Sequence, residues 1–257
     1  MKRLKFEYQM HLALNNEVIR HSFALRCVPK QTADQCVGGL TCEFRPVTSI
    51  SRIRDCFDNT VYIGYISEAH DNFSFCISGI VERKSTYLRE SLNPLFCYPS
   101  HYTELKYPLT AYFPDFVEPE GSGKEKAVYL MELLQESFRY AAGSTNVDTT
   151  AEEALQGGCG VCQDYAHIFI AMCRKCKIPA RYAAGFMIGE GATHAWAEIY
   201  TDGVWIGIDP TNHKLVDELY IKLSVGRDFG DCIIDRGIFT GNAVQQQTVS
   251  VKVEEVS

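Results

Sequence analysis

The sequence predicts an α+β fold, in which a strand-rich N-terminal domain precedes a domain of helices packed on an antiparallel sheet. Residues 3–84 hold segments such as KFEYQMHLAL and VYIGYI, where apolar, β-branched and aromatic residues partly alternate with polar ones. Residues 124–178 instead hold apolar residues at helical spacing, and a strong hairpin signal, Asp-Gly, follows at 202–203. The 257 residues suffice for two domains.

The first domain is predicted as an antiparallel, sandwich-like β-domain over residues 1–84, because its strands are separated by turn-forming dipeptides. These are NN at 15–16, GG at 38–39, and DN at 58–59 and 71–72. Residues 85–123 are rich in Pro and Tyr and are predicted to form a connector on the surface. The second domain is then expected to span 124–257.

Two helices are predicted to open the second domain. EKAVYLMELLQESFRYAA has helical apolar spacing, and Gly143 is a natural stop. Thr150 and Glu153 match a capping box for a short helix that ends at two glycines, 157 and 158. At the C-terminus, TVSVKVEEV alternates in polarity, which predicts a last strand that could lie at the edge of a sheet.

The composition excludes several classes of protein. The net charge of −7 argues against nucleic acid or an anionic membrane surface as a partner. No apolar run approaches the roughly 18 residues that a membrane helix needs. The start has two positive charges and no apolar run behind them, so a cytoplasmic location is expected.

Four cysteines in GGCGVCQDYAHIFIAMCRKCKIPAR, residues 157–181, form two C-x-x-C pairs. From Cys162 to Pro179 the chain lacks Gly and Pro and is largely apolar, which predicts a buried helix. At about 1.5 Å per residue, Cys173 then lies about 16 Å from Cys162, too far to share one zinc ion. We therefore expect no metal, and Cys173 and Cys176 are interpreted as packed thiols. Most of the eleven cysteines are expected to be reduced.

Cys162 differs from the others because it begins the predicted helix. Free N–H groups and the positive end of the helix dipole favour a nucleophilic thiolate there and can hold a developing oxyanion. The preceding glycines, including Gly160, leave room for a substrate backbone, although glycines before a helix are also ordinary turn residues.

A histidine and an acid are predicted to meet in THAWAEIYTDGVWIGIDPTNH, residues 193–213. A two-residue turn at Asp-Gly pairs Tyr200 with Trp205 and, further along, Trp196 with Asp209. His194 is then a diagonal neighbour of Asp209, at about 7–8 Å between backbones, and a hydrogen bond between the two side chains is expected. Each residue alone also has an ordinary structural explanation, as a histidine at a strand end or an acid in a turn.

Taken together, GVCQDYAH, HAWAEIY and IDPTN resemble the three catalytic motifs of the transglutaminase-like superfamily, which has a papain-like core. The N-terminal part, with DCFDNTVYIGYI and FSFCISGIVER, is similar to the N-terminal β-domain of the family's bacterial branch, whose members are described as cysteine proteases.

The resemblance implies that Cys162 is the nucleophile, His194 the general base and acid, and Asp209 the residue that orients His194. The reaction implied is acyl transfer from an amide of a protein or peptide substrate, with hydrolysis favoured over cross-linking and no cofactor. A transglutaminase with an amine acceptor and a non-catalytic binding module on the same fold remain alternatives. The resemblance leaves the second oxyanion donor unidentified, because both tryptophans lie downstream of Cys162.

Several neighbours of the three residues are candidates for substrate contact or support of the site. They are Gly160, Val161, Gln163 and Trp196. Cys159 is a possible redox partner of Cys162, through a reversible disulfide. The segment GEGATH, residues 189–194, is interpreted as a flap beside the cleft.

Overall fold

A computed structural model describes residues 1–46 and 49–256 of the chain. The fold is mixed, with two large antiparallel sheets and a layer of helices against the second. The strands before the first helix are β1 (Lys2–Leu25), β2 (Gln35–Arg45), β3 (Ser49–Arg54), β4 (Thr60–Ile66), β5 (His70–Arg83) and β6 (Tyr87–Leu88). The helices are α1 (Gly123–Ser137), α2 (Ala151–Gly157), α3 (Cys162–Lys175) and α4 (Phe229–Cys232).

The remaining strands belong to the second half of the chain. They are β7 (Arg139–Tyr140), β8 (Cys159–Gly160), β9 (Ala180–Met187), β10 (Gly189–Gly191), β11 (His194–Thr201), β12 (Val204–Asp209), β13 (Lys214–Leu215), β14 (Tyr220–Gly226), β15 (Asp235–Thr240) and β16 (Gln245–Glu255). Within the described ranges, no helix is both long and apolar enough to cross a membrane.

The first sheet is built around β1, whose residues alternate between buried and exposed along its first half. That half pairs with β5 and β16, and the second half pairs with β4 and β15. The predicted turn at 15–16 is wrong, because β1 continues through it with a shift of register between Ala13 and Val18. The dipeptides at 38–39 and 71–72 also lie within strands, in β2 and β5.

The turn predicted at 58–59 is present between β3 and β4. Asp58 has a positive φ, and the Asp55 carboxylate accepts hydrogen bonds from the backbone N–H groups of Phe57 and Asn59. An acid that binds the backbone two and four residues later closes a turn without help from the rest of the fold. The sequence signal was therefore sufficient at this position.

The segment 85–123 is packed into the second half of the chain. β6 pairs with β12, and three short 3-10 helices follow. Their neighbourhood buries several apolar side chains, namely Leu88, Phe96, Leu105, Leu109 and Phe113. The segment therefore contributes to the core, although the sequence suggested a surface connector.

The second sheet has the order β13-β12-β11-β9-β14, and β6 pairs with β12 as well. One face carries α3, which packs on β9 and β11, and α1 and α2 pack against α3. The capping boxes at α1 and α2 are formed by Ser122 with Glu125 and by Thr150 with Glu153, the latter as predicted from sequence.

The C-terminal strands lie in the first sheet. β15 and β16 both pair with β1, and β16 also pairs with the short β10. The predicted second domain, 124–257, thus supplies strands to both sheets, and the boundaries at 84 and 123 stay a prediction. The two sheets also share a core, in which Phe186 of β9 packs on Phe6 and Tyr8 of β1.

Candidate active site

Cys162 is the first residue of α3 and is half-buried. Asp164 fixes the start of this helix, since its Oδ2 accepts hydrogen bonds from the backbone N–H of Val161 (2.7 Å) and the hydroxyl of Thr145 (2.6 Å). The first N–H groups of a helix have no partners within it, so they are available to a ligand beside Cys162.

Gly160 is needed for packing at this helix start. A Cβ built on Gly160 would lie 2.5 Å from Oδ2 of Asp164 and 2.7 Å from its Cβ. The space that the glycine leaves is therefore filled by the residue that caps α3. Gly157 differs, because a Cβ there would meet no atom within 4 Å.

His194 and Asp209 lie at the same end of the β11–β12 hairpin. The observed register pairs Thr201 with Val204 and Ala197 with Ile208, as the two-residue Asp-Gly turn predicts. The imidazole Nε2 lies 2.7 Å from Oδ2 of Asp209, so the predicted hydrogen bond is present. An ionised carboxylate can only accept, so Nε2–H is the donor and Nδ1 is left for Cys162.

Asp209 is completely buried and makes further hydrogen bonds besides the one with His194. Its Oδ2 accepts from the Asn212 amide and the Tyr220 hydroxyl, each at 2.7 Å. Its Oδ1 accepts from the backbone N–H groups of Thr211 (3.0 Å) and Asn212 (3.1 Å). These bonds compensate the carboxylate for its lost hydration and fix its orientation toward His194.

The electrostatics of the pair favour charged forms of both groups. Burial by itself would lower the pKa of His194, but hydrogen bonds with Asp209 and Cys162 and the nearby negative charge raise that pKa to about 9. Burial acts to raise the pKa of Asp209, yet the hydrogen bond and charge of His194, together with Asn212 and Tyr220, lower it overall. An imidazolium held by a carboxylate is therefore the favoured state.

Trp196 packs beneath His194 and belongs to the core. Its side chain is buried, its ring stacks with that of His194 at 6.3 Å between centroids, and it meets Tyr220 edge-on at 5.4 Å. Trp196 therefore covers one side of the His194–Asp209 pair and limits the access of water to it.

An open cleft of about 520 Å³ lies in front of Cys162 and His194. Its walls come from five parts of the chain. Its lining comprises Tyr140, Cys162, residues 187–194, Thr211, Asn212 and Val251 of β16. Within the segment 189–194, interpreted from sequence as a flap, residues 189–191 form strand β10, which is paired with β16.

The remaining sequence candidates lie beside the cleft and do not line it. Gln163 donates a hydrogen bond to the carbonyl of Val147 at 3.1 Å, and Val161 is the cap residue of α3. Cys159 lies in β8 and is half-buried. Its thiol is free, and the thiol of Cys162 is free as well. In the described part of the chain, no three His, Cys, Asp or Glu side chains cluster closely enough to hold a metal.

Sequence reasoning missed three residues of the site. Asn212 carried a usable signal, since Asp-Pro-Thr-Asn is a turn sequence whose side chains bind nearby groups. Tyr220 and Tyr140 had no such signal in the sequence. Tyr220 reaches Asp209 through the position of β14, and Tyr140 reaches the cleft through the position of β7.

Comparison with known families finds matches in both halves of the chain. The sequence model of the Transglutaminase-like superfamily matches residues 110–210, which include Cys162, His194 and Asp209. The model of the Bacterial transglutaminase-like N-terminal region matches residues 4–82.

Two similar proteins, both described as uncharacterized, come from mycobacteria. An uncharacterized protein of Mycobacterium tuberculosis is 37% identical over 143 residues, which cover 49% of this chain and 45% of that protein. The chain thus matches less than half the length of this relative. An uncharacterized protein of Mycobacterium leprae is 28% identical, covering 90% of this chain and 91% of the relative.

A crystal structure from Cytophaga hutchinsonii, titled as that of "a Putative Cysteine Protease", has the same fold. The TM-score is 0.83 at 22% identity, and the superposition covers 100% of this chain and 91% of the other. At this identity the similarity concerns the fold alone.

Proposed function

Because this chain belongs to the transglutaminase-like superfamily, we propose that it is a cysteine-dependent acyl-transfer enzyme acting on peptide or side-chain amide bonds. Cys162 is the nucleophile, His194 the general base and acid, and Asp209 the group that orients the imidazole. The observation that carries the proposal is the position of His194, which is bound to Asp209 through Nε2 and lines the same open cleft as Cys162.

In the first step, Nδ1 of His194 takes the proton of the Cys162 thiol, and the sulfur attacks the amide carbonyl carbon to form a C–S bond. The carbonyl oxygen becomes negative, and N–H groups at the start of α3 are available to stabilise it. His194 then gives its Nδ1 proton to the amide nitrogen as the C–N bond breaks. The products of this step are a thioester on Cys162 and a free amine.

In the second step, His194 takes a proton from water as the water oxygen attacks the thioester. The C–S bond breaks, the thiol recovers its proton and a carboxylic acid leaves, so the net reaction is hydrolysis of an amide. We favour water as the acceptor because the cleft is open to solvent and water needs no second binding site. An amine acceptor would use the same two steps and give a new amide.

Selective labelling of Cys162 tests the proposal. Iodoacetamide at about pH 6 should alkylate Cys162 much faster than the exposed Cys56 and Cys97, because an imidazolium partner favours the reactive thiolate. Intact mass should show one rapid adduct, and peptide mapping should locate it. The adduct should vanish in Cys162→Ala and persist in the matched control Cys97→Ala.

Uniform, slow labelling of all thiols would contradict the proposal and favour a non-catalytic binding module. If the rapid adduct forms, glutamine-containing peptides and peptide amides are the substrates to assay first. Release of ammonia or amine in water indicates a hydrolase, whereas incorporation of an added primary amine indicates a transglutaminase.

A further inference from the structure

Strand β10 (Gly189–Gly191) is a short edge strand that lines the same cleft as Cys162 and His194. It pairs with β16, with Gly189 opposite Val253 and Gly191 opposite Val251. Across residues 1–46 and 49–256, β10 pairs with no other strand, so the backbone groups of its second edge have no strand partner. Such an edge is a template for an added strand.

The pairing with β16 makes β10 a fixed element. The Glu190 carboxylate lies 3.3 Å from the Lys252 ammonium, and the N–H of Ile188 donates to the carbonyl of Leu219. The first contact attaches β10 to β16, and the second attaches the residue before β10 to the turn that precedes β14. A chain that adds to β10 would therefore meet a preformed edge, which lowers the entropy lost on binding.

Gly191 supplies a second, independent observation. Its φ lies outside the left-handed region, and a Cβ built on it would meet no atom within 4 Å. Neither backbone conformation nor packing inside the protein requires glycine there, in contrast to Gly189 with its φ of 112°. A glycine that the fold itself does not need, at the wall of a reactive cleft, suits the close approach of another backbone.

The side chains around this edge are partly apolar. Ile188 and Tyr140 are both well exposed and line the cleft near Cys162. They offer a surface for an apolar side chain next to the reacting bond.

From these observations we infer that the substrate is an extended polypeptide segment that adds as a strand to the free edge of β10, with an apolar side chain against Ile188 and Tyr140. This rests on the proposed function, since it places the substrate carbonyl at Cys162. It adds to that function that the substrate is the main chain of a polypeptide and not a small amide.

Peptide chloromethyl ketones with and without backbone N-methyl groups test this inference on the wild-type protein. The probe is acetyl-Ala-Leu-Gly chloromethyl ketone, whose chloride is displaced by the Cys162 sulfur. In an extended strand, successive residues turn their N–H groups to opposite sides. Methylation of one of two neighbouring amides should therefore slow Cys162 labelling roughly 10-fold and methylation of the other should leave it unchanged.

The outcomes separate the two proposals. Equal slowing by every N-methyl group, or no slowing by any, overturns strand addition, while rapid labelling of Cys162 by iodoacetamide would still support the enzyme. Absence of selective labelling by both reagents overturns the enzyme proposal and strand addition with it.

Discussion

The hydroxyl of Tyr220 donates a 2.7 Å hydrogen bond to Oδ2 of Asp209, the same carboxylate oxygen that accepts from Nε2 of His194. Tyr220 comes from β14, two positions away from β11 in the sheet order. The carboxylate that orients the imidazole is thus held from a strand that belongs to neither arm of the hairpin.

Tyr220→Phe should lower both stability and the reactivity of Cys162. The buried carboxylate loses one donor, and a hydrogen bond to a charged group is worth about 1.5–3 kcal/mol of unfolding free energy. Urea unfolding and the iodoacetamide rate measure the two effects. Tyr112→Phe is the matched control, because Tyr112 donates to the Glu152 carboxylate outside the cleft. It should lose stability and keep the rate, and an equal loss of rate in both variants would refute a role of Tyr220 at the site.

Asp209→Asn should lower the pKa of His194 from about 9 to below its ordinary value of 6.5. The carboxylate that stabilises the imidazolium is lost, while the burial that disfavours the charge remains. An NMR titration of the His194 ring, assigned with His194→Gln, measures the shift. Asp71→Asn, on the exposed start of β5, should not alter it.

Asp209→Asn should also change how the free energy of unfolding depends on pH. The folded-state pKa of His194 is raised above its unfolded value, so its stabilisation is fully present below pH 6.5 and is lost as the pH rises through about 9. The difference in unfolding free energy between wild type and Asp209→Asn should therefore shrink over that interval. A difference that stays constant from pH 6 to 9.5 would contradict the assigned pKa shift of His194.

Glu198→Gln should destabilise the protein by about 3–5 kcal/mol, because it removes the carboxylate paired with buried Lys222 and one of the two paired with buried Arg181. Glu198 lies on the face of β11 that also carries His194 and Trp196, and it forms ion pairs with Arg181 (2.7 Å) and Lys222. Urea unfolding at pH 7 measures the loss. Glu255→Gln breaks the exposed pair with Lys2 and should change stability by less than about 1 kcal/mol.

The loss of stability at low pH gives a second test of the Glu198 ion pairs. Burial acts to raise the pKa of Glu198, but the charges of Lys222 and Arg181 lower it to about 2. A depressed folded-state pKa gives stability that is present above the ordinary value of 4.5 and lost as the pH falls toward 2. Wild type should lose more stability over this range than Glu198→Gln, and parallel curves would show that Glu198 is not paired as described.

Gly160→Ala should disturb the start of α3. The new methyl group would push on Asp164, and overpacking of this kind costs about 1–3 kcal/mol. Displacement of Asp164 also removes the bond to the Val161 N–H, so Cys162 labelling should slow. Gly157→Ala meets open space without a positive φ and should leave the rate unchanged. Equal rates in both variants would show that Asp164 does not position Cys162.

Segments whose structure depends on neighbours in sequence were predictable. The Asp-Gly turn fixes the register of β11 and β12, and a period of two then puts His194 and Asp209 on one face. The capping box at Thr150 and the Asp55–Asn59 turn are local in the same sense. The Asn-Asn turn predicted at 15–16 is wrong because distant partners compete with it: by continuing, β1 gains pairing with β4 and β15.

By itself the sequence determined the elements of the site: a cysteine that begins a helix and a histidine and aspartate paired across a hairpin, since these relations follow from helix geometry and strand register. Tertiary structure decided what surrounds them. It brought Tyr220 to Asp209 and β16 to β10, over 11 and about 60 residues of chain, respectively. Such contacts form where they bury apolar surface and satisfy polar groups for the whole fold, and no local pattern encodes that sum.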